Sequence, residues 1–281
     1  MVDMQHGLKV GLIGCGAIGR TLALATIEGK AGNIELLAMC DIDKERLESL
    51  HKELGREEIK KHLDPFDLLE NPEIELVIEA ATREAVKNIS ERALELGKSL
   101  LIMSAGAFAD KDLYDSLYRK ASEKKLKIYI PSGAIIGLDG VKSASVEKLG
   151  RVEIISTKNP RSLEGAPYLK ENNIDISNLT KAKTLFQGTA DKAIEGFPKN
   201  VNVAVILSLA GVGVENTWVT IVADPEIKLT KHEIKAEGDF GKLHGITQNF
   251  LHPDNPKTSY LAPLSAIRLL RKISEPVQIG T

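Results

Sequence analysis

Cysteine, aromatic residues and an excess of charge of either sign are all scarce in this chain of 281 residues. Only two cysteines are present, Cys15 and Cys40, so the chain has neither a disulfide framework nor a cysteine-rich metal motif. Basic and acidic side chains number 37 and 39, and a net charge of −2 argues against nucleic acid, which calls for a basic face. We therefore expect no metal and no nucleic-acid partner.

Long apolar runs are also missing. No stretch reaches the ~18 apolar residues that a transmembrane helix needs, and the polar residues 1–7 lack the basic and then apolar order of a signal peptide. We expect a cytoplasmic protein without a membrane partner. The hydrophobic share of 43% is enough to bury real cores, and the length indicates two domains.

A glycine-rich turn near the start of the chain is the most informative feature that is present. The apolar segment Leu8–Ile13 runs directly into a G-x-G-x-x-G motif that opens a helical segment. In this context the first glycine allows a sharp turn, the second lets the backbone approach a pyrophosphate, and the third lets the helix pack close to the strand. The helix N-terminus offers free N–H groups to the phosphates. The predicted dinucleotide-binding residues here are Gly14, Gly16, Ala17, Ile18 and Gly19.

Asp41 indicates which dinucleotide is bound. It follows the second predicted strand, Ile34–Cys40, about 20 residues beyond the motif, where a carboxylate can accept hydrogen bonds from both ribose hydroxyls. NAD is favoured because a 2′-phosphate would be repelled there, while Lys44 and Arg46 close by leave use of NADP open. The alternative is a glycine turn that binds nothing, with Asp41 only capping the next helix.

Strands alternate with helices through the first half of the chain, which is typical of an α/β fold with a parallel doubly wound sheet. Small residues follow several of the strands, including Ala81, Ala105 and Ala134. Ligands of such sheets lie across the carboxyl ends of the strands. We therefore predict a Rossmann domain over residues 1–133, with these alanines near the cofactor.

The pattern changes in residues 134–253, which predict a second, mixed α/β domain. Strands are predicted at Thr217–Ala223 and 232–237, and the short turn between them favours antiparallel neighbours. Residues 254–281 contain a strongly amphipathic helix. We expect this last segment to return to the first domain and complete it.

His232 is the candidate catalytic residue. A nicotinamide enzyme usually needs a group that moves a proton, and histidine titrates near neutral pH. His232 begins a predicted strand of the second domain, although an exposed histidine at a strand end is the alternative. The other five histidines lie in a polar tail, in charged segments or in a polar loop region: His6, His51, His62, His244 and His252.

Three polar residues surround the start of an apolar helix in the second domain. Asn200 suits an N-cap, whereas the amide of Asn202 can instead hold the carboxamide of a nicotinamide. Lys199 can meet a substrate carboxylate or be an ordinary surface lysine.

Five segments taken together resemble the L-aspartate dehydrogenase family. The glycine motif is common to many Rossmann proteins, and the other four segments are more specific. They are Pro131-Ser132-Gly133-Ala134, Phe197-Pro198-Lys199-Asn200-Val201-Asn202-Val203-Ala204, Ala223-Asp224-Pro225 with His232-Glu233-Ile234, and Asn255-Pro256-Lys257-Thr258-Ser259-Tyr260-Leu261-Ala262.

The resemblance implies oxidation of L-aspartate with NAD or NADP to iminoaspartate, which hydrolyses to oxaloacetate and ammonia and can feed NAD biosynthesis. It places the catalytic histidine on His232 and further cofactor contacts on Ala134 and Asn202. It also implies a homodimer formed through the sheet of the second domain. Because the substrate has two carboxylates, we expect a cation in the site. The candidates are Lys199 with Asn200 as a weaker contact, and behind them Lys158 and Arg161.

Two other functions stay open at this point. The chain could be a dehydrogenase or reductase of another amino acid or dicarboxylate, which a substrate profile distinguishes. It could also be an NAD-binding sensor, which would bind the cofactor without turnover and would not respond to the loss of His232.

Overall fold

The computed structural model describes residues 7–198 and 201–280, and it divides into two compact units. The first unit runs to Pro131 and includes Pro263–Ile279, and the second unit covers Ser132–Ala262. The expected return to the first unit at residue 254 is therefore placed too early. Residues 254–262 stay with the second unit because the strand Asn255–Ser259 pairs there with Leu251–His252.

A parallel sheet forms the centre of the first unit. Its strands are β1 (Leu8–Ile13), β2 (Ile34–Cys40), β3 (Lys60–His62), β4 (Leu76–Glu79), β5 (Ser99–Ile102) and β6 (Ile128–Tyr129). The helices between them are α1 (Ala17–Ile27), α2 (Lys44–Leu54), α3 (Pro65–Leu69), α4 (Arg83–Glu95) and α5 (Lys111–Lys124). The strand order β3-β2-β1-β4-β5-β6, with every pairing parallel, confirms the predicted Rossmann doubly wound sheet.

Burial and capping explain why these residues form these elements. The central strand β4 is buried along its whole length, as a strand covered by helices on both faces must be. Polar side chains begin four of the helices by accepting a hydrogen bond from a first-turn N–H: Asp43 from Arg46, Asp64 from Phe66, Thr82 from Ala85 and Asp110 from Leu113. Because all of the strands are parallel, their carboxyl ends lie at the same edge of the sheet.

The second unit is a mixed α/β fold, as predicted. Its elements are α6 (Leu138–Ala144), β7 (Leu149–Lys158), α7 (Pro167–Glu171), β8 (Lys183–Thr189), α8 (Ala190–Gly196), α9 (Asn202–Ala210), β9 (Thr217–Ala223), β10 (Thr230–Gly238), β11 (Gly241–Asn249), β12 (Leu251–His252) and β13 (Asn255–Ser259). The main sheet has the order β11-β10-β7-β9-β8, and β12 pairs with β13. The last helix, α10 (Leu261–Ser274), follows β13.

The predicted antiparallel pairing of β9 with β10 is wrong. β7 lies between them, parallel to β9 and antiparallel to β10. The N–H of Asp224 donates to the carbonyl of Lys158 at 2.9 Å, so the short connection after β9 passes over the end of β7. The direct partner of β10 on its other side is β11, so the prediction of a polar loop for this segment is wrong.

Three aromatic rings form a cluster in the core of the second unit. The ring centroid of Tyr168 lies 5.3 Å from the ring centroid of Phe186 and 5.3 Å from that of Phe197. The centroids of the two phenylalanine rings are 5.9 Å apart. Phe197 has no exposed surface. Ring pairs at such spacing add to the stabilisation that burial of their apolar area provides.

Replacing Phe197 by alanine should destabilise the second unit strongly. Loss of a fully buried ring leaves a cavity, and we expect the free energy of unfolding to fall by about 3–5 kcal/mol. Phe250→Ala is the matched control, because that ring is 73% exposed, and its effect should stay within about 0.5 kcal/mol. Urea unfolding measures both. Equal effects of the two changes would contradict the described core.

Candidate active site

Each glycine of the motif meets a different steric demand. Gly14 has a φ of +100°, and a Cβ there would lie 2.6 Å from the carbonyl of Ala80. A Cβ on Gly19 would lie 1.8 Å from the carbonyl oxygen of Gly14, whereas one on Gly16 would meet no atom within 4 Å. The turn is therefore closed on its inner side and open at Gly16. That open side, with Ala17 and Ile18 beginning α1, fits the pyrophosphate of a dinucleotide.

The carboxylate of Asp41 lies at the edge of the glycine turn and also fixes the backbone of that turn. Its Oδ2 accepts the N–H of Cys15 at 2.8 Å, and its Oδ1 accepts the N–H of Asp43 at 2.9 Å. The guanidinium of Arg46 lies 3.7 Å from Oδ2 and is half exposed. A carboxylate offers about four acceptor positions, so these two bonds leave capacity for ribose hydroxyls. The sequence did not reveal the bond to the turn.

The two cysteines are buried thiols in the same region. Burial, together with the charge of Asp41, raises the pKa of both Cys15 and Cys40 to about 12. The Cys15 thiol donates to the carbonyl of Cys40 across 3.7 Å. Since the thiolate is the reactive form, both side chains serve packing rather than chemistry.

The remaining cofactor candidates of the first unit lie just beyond β4 and β5. Ala81 is exposed at the carboxyl edge of the sheet. Ala105 begins the short 3-10 turn Ala105–Ala109 and has no exposed surface. Ala105 therefore supports the carboxyl edge of the sheet from inside the unit. The small residues in the sequence did not show that Ala81 is exposed and Ala105 is buried.

Ala134 and Asn202 belong to the second unit. The carbonyl oxygen of Ala134 accepts from Asn249 Nδ2 at 2.9 Å and from Thr247 Oγ1 at 3.1 Å, so two side chains of β11 fix this backbone. Asn202 is the first residue of α9 and is half-buried. The candidate substrate residues Lys199 and Asn200 lie outside the described residues.

His232 is buried in the sheet of the second unit, with 3% of its surface exposed. It lies in β10 directly opposite Ser156 of β7, and its Nδ1 is 2.9 Å from the Ser156 hydroxyl. Burial, and after it the positive charge of Lys158, lowers the pKa of His232 to about 3. The alternative of an exposed histidine at a strand end is therefore wrong.

Lys158 completes this cluster. It ends β7 two residues after Ser156, so both side chains point to the sheet face that carries His232. Burial lowers the pKa of Lys158 to about 8, which leaves the ammonium charged at neutral pH. The site thus combines an uncharged imidazole, a hydroxyl and a cation, groups that can accept a proton and bind an anion. Arg161, the other lesser candidate, is exposed.

The other histidines have different surroundings from those that the sequence suggested. His51 is buried, with Nε2 3.2 Å from the carbonyl of Ile59, and His252 is buried against Tyr260. His244 lies on β11 rather than in a loop; it is exposed, and its Nε2 bonds to Glu233 at 3.0 Å. His6 lies outside the described residues.

The described residues contain neither a metal-binding cluster nor a membrane-spanning helix. Within 7–198 and 201–280, no three His, Cys, Asp or Glu side chains are arranged to hold a metal ion. In the same part of the chain, no helix has both the length and the apolar character to cross a bilayer.

The depressed pKa of His232 should make the second unit sensitive to acid. Unfolded histidine titrates near 6.5, whereas the folded imidazole stays neutral down to about pH 3. The unfolded state therefore binds the proton first, and the free energy of unfolding falls from pH 6.5 towards pH 3, by up to about 1.4 kcal/mol per pH unit. His232→Gln should flatten this dependence in urea unfolding between pH 7 and pH 4. An unchanged slope would contradict the buried neutral imidazole.

Known proteins similar to this chain indicate its family. Residues 139–273 match the family model for the C-terminal part of aspartate dehydrogenase, and residues 14–131 match the NAD-binding domain of homoserine dehydrogenase. The chain is 43% identical over 274 residues to the L-aspartate dehydrogenases of Methanosarcina mazei and Methanococcoides burtonii, covering 98% of this chain and 100% of each relative.

Solved structures give the same assignment. Aspartate dehydrogenase from Thermotoga maritima matches with a TM-score of 0.76 and 27% identity, over 98% of this chain and 100% of that one. A homoserine dehydrogenase from Thiobacillus denitrificans, at 14% identity and a TM-score of 0.60 over 95% of this chain and 73% of its own, shares the fold alone. The resemblance drawn from the motifs is confirmed, and the chain belongs to the aspartate dehydrogenase family.

Proposed function

We propose that this protein is an NAD(P)-dependent L-aspartate dehydrogenase. The observation that carries the proposal is the cluster of His232, Ser156 and Lys158 on one face of the second sheet, in a chain whose full-length relatives bear that name. A neutral base beside a buried cation suits an amino acid that is also an anion. The Lys158 ammonium would hold a carboxylate of the substrate. The ammonium group of the substrate would then lose a proton to the imidazole of His232.

The residues at the carboxyl edge of the first sheet fit a dinucleotide. The backbone of Gly14, Gly16, Ala17, Ile18 and Gly19 would hold the pyrophosphate, while Asp41 would accept from the ribose hydroxyls and Ala81 would line the edge. Ala134 and Asn202 are proposed as further contacts, as the family resemblance implies, whereas the buried Ala105 supports the edge. When bound, NAD accepts a hydride from the α-carbon of the substrate.

Lys158 is the cation that we assign to a substrate carboxylate. It is charged at neutral pH and belongs to the cluster that contains His232. A bound dicarboxylate would raise the pKa of both groups, since a nearby negative charge favours their protonated forms. The substrate would thereby turn a weakly basic buried imidazole into an effective proton acceptor near neutral pH.

His232 then handles the protons of the reaction. Its Nδ1 is engaged by the hydroxyl of Ser156, so Nε2 is the nitrogen that would take a proton from the substrate ammonium. The α-carbon loses a hydride, which gives iminoaspartate, and water then adds to the imine carbon to give oxaloacetate and ammonia. Once His232 has released that first proton to solvent, its imidazole would accept a proton from the attacking water in the second step. A site closed to bulk water would protect the imine from premature hydrolysis.

Two related assignments are also proposals. Exposed apolar side chains on the face of the second sheet that points away from His232, Trp218 and Ile246, support a homodimer formed through this sheet. The cytoplasmic location stays a prediction, as does the division of labour between a dinucleotide-binding unit and a catalytic unit.

A spectrophotometric screen of amino acids with NAD at alkaline pH tests the proposed activity. NAD reduction should be fastest with L-aspartate. Reduction with L-alanine or L-glutamate but not with L-aspartate would favour another amino-acid dehydrogenase, and cofactor binding without any turnover would favour a sensor.

Replacing His232 by alanine should remove the proton acceptor. We expect turnover to fall by roughly 10²-fold or more, with little change in the dissociation constant for NAD. His244→Ala is the control, because that histidine is 53% exposed on the neighbouring strand, and its turnover should stay within about twofold. Steady-state kinetics and NAD titration measure both quantities. Undiminished turnover in His232→Ala would eliminate the assigned role.

Asp41 should set the preference between the two cofactors. Asp41→Ala removes the charge that repels a 2′-phosphate and leaves Arg46 beside the vacated position, so the ratio of kcat/KM with NADP to that with NAD should rise by about tenfold or more. Asp110→Ala is the control, since Asp110 caps α5 through Leu113 N–H and should change stability but not the ratio. A ratio unchanged by Asp41→Ala would refute the assignment.

A further inference from the structure

Glu79 carries a carboxylate in the interior of the first unit and has no exposed surface. Its Oε1 accepts the N–H of Ala81 and the hydroxyl of Ser104, both at 2.8 Å, and its Oε2 accepts the N–H of Ser104 at 3.0 Å. Burial raises the pKa of Glu79. Within the described ranges no salt bridge offsets this burial, which is costly for an ionisable group, and the cost calls for an explanation.

The three donated hydrogen bonds join two strand ends. Glu79 is the last residue of β4, Ala81 lies two residues beyond it, and Ser104 follows β5. One carboxylate therefore fixes the loops after two adjacent parallel strands, at the edge of the sheet where ligands of this fold lie.

The same bonds reach the glycine turn. A Cβ on Gly14 would lie 2.6 Å from the carbonyl carbon and oxygen of Ala80 and 2.8 Å from the nitrogen of Ala81. The peptide between Ala80 and Ala81 thus lies flat against the turn, and the Glu79 carboxylate fixes the nitrogen of that peptide. A shift of this peptide would displace the backbone that is assigned to the pyrophosphate.

We propose that Glu79 is a positioning residue of the dinucleotide site, which preorganises the loops after β4 and β5 against the glycine turn. The inference rests on the proposed function, because it supposes that a dinucleotide binds at this edge. Glu79 acts through Ala81, Ser104 and Gly14, and it has no exposed atom with which to touch the cofactor.

A carboxyl group satisfies this set of partners, whereas an amide does not. Two of the three are backbone N–H groups, one on each oxygen, and neither can reverse its role. A glutamine of the same shape would turn its NH2 group towards one of those N–H groups, whichever way it was oriented. Glu79→Gln therefore changes the hydrogen bonding with almost no change in volume.

The opposite edge of the sheet supplies a matched control. Lys98, directly before β5, is also buried, and its Nζ donates to the carbonyls of Asn71 at 2.6 Å and Ile74 at 3.0 Å. This clamp lies at the amino ends of β4 and β5, where no ligand is expected. Lys98→Met should therefore lower stability without altering the binding of a dinucleotide.

The test compares NAD and NADH affinity, by titration calorimetry, with stability, by urea unfolding, in the full chain. We expect the dissociation constants of Glu79→Gln to rise by about tenfold or more, and those of Lys98→Met to stay within about twofold at a comparable loss of stability. Ser104→Ala, which removes one donor, should raise them by about threefold.

The outcomes distinguish a failure of the positioning role of Glu79 from a failure of the proposed function. Wild-type affinity in Glu79→Gln overturns the positioning role while aspartate oxidation by the wild type still stands, and equal weakening in Lys98→Met overturns it as a general stability effect. A wild-type protein that binds neither NAD nor NADH overturns both. If Glu79→Gln fails to fold, Ser104→Ala decides: a raised dissociation constant supports the role, and an unchanged one overturns it.

Discussion

Burial of an imidazole next to a buried ammonium is the constraint on which the proposed chemistry of this protein depends. In water His232 would titrate near neutral pH, but inside the second sheet burial and the charge of Lys158 keep it unprotonated. Under the proposed function, an anionic substrate would weaken both effects, since its carboxylate brings negative charge to the cluster. The substrate itself would then activate the base, and a neutral amino acid would activate it less.

The glycine turn of the first unit is fixed on both sides by a buried carboxylate that accepts a backbone N–H. Asp41, after β2, accepts the N–H of Cys15, and Glu79, at the end of β4, fixes the peptide that lies against Gly14. β1 lies between those two strands, so each neighbour contributes one carboxylate to the loops at its end. Backbone groups held in this way are preorganised for phosphates, which lowers the entropic cost of binding.

The sequence predicted what local patterns determine. The glycine motif and the alternation of apolar segments with helices predicted the first sheet, and His232 was chosen from its place in a predicted strand together with the family resemblance. Long-range pairing was not accessible: nothing in Thr217–Ala223 shows that β7 separates β9 from β10, and the alternating β11 resembled a polar loop. Burial of ionisable groups was equally hidden, since Lys158 reads as a surface lysine and Glu79 as one polar residue within an apolar strand. Ala105 was predicted at the cofactor, but its burial makes it a support.

The central claim is that a dicarboxylate bound by the second unit raises the basicity of His232. The most direct measurement is an NMR titration of the His232 ring in the presence and absence of succinate, a dicarboxylate without the amine. The account predicts an imidazole that stays neutral well below pH 6 when free and a pKa that rises clearly with succinate, an increase that Lys158→Met diminishes. A His232 pKa near 6.5 in the free protein, or one that succinate leaves unchanged, would contradict it.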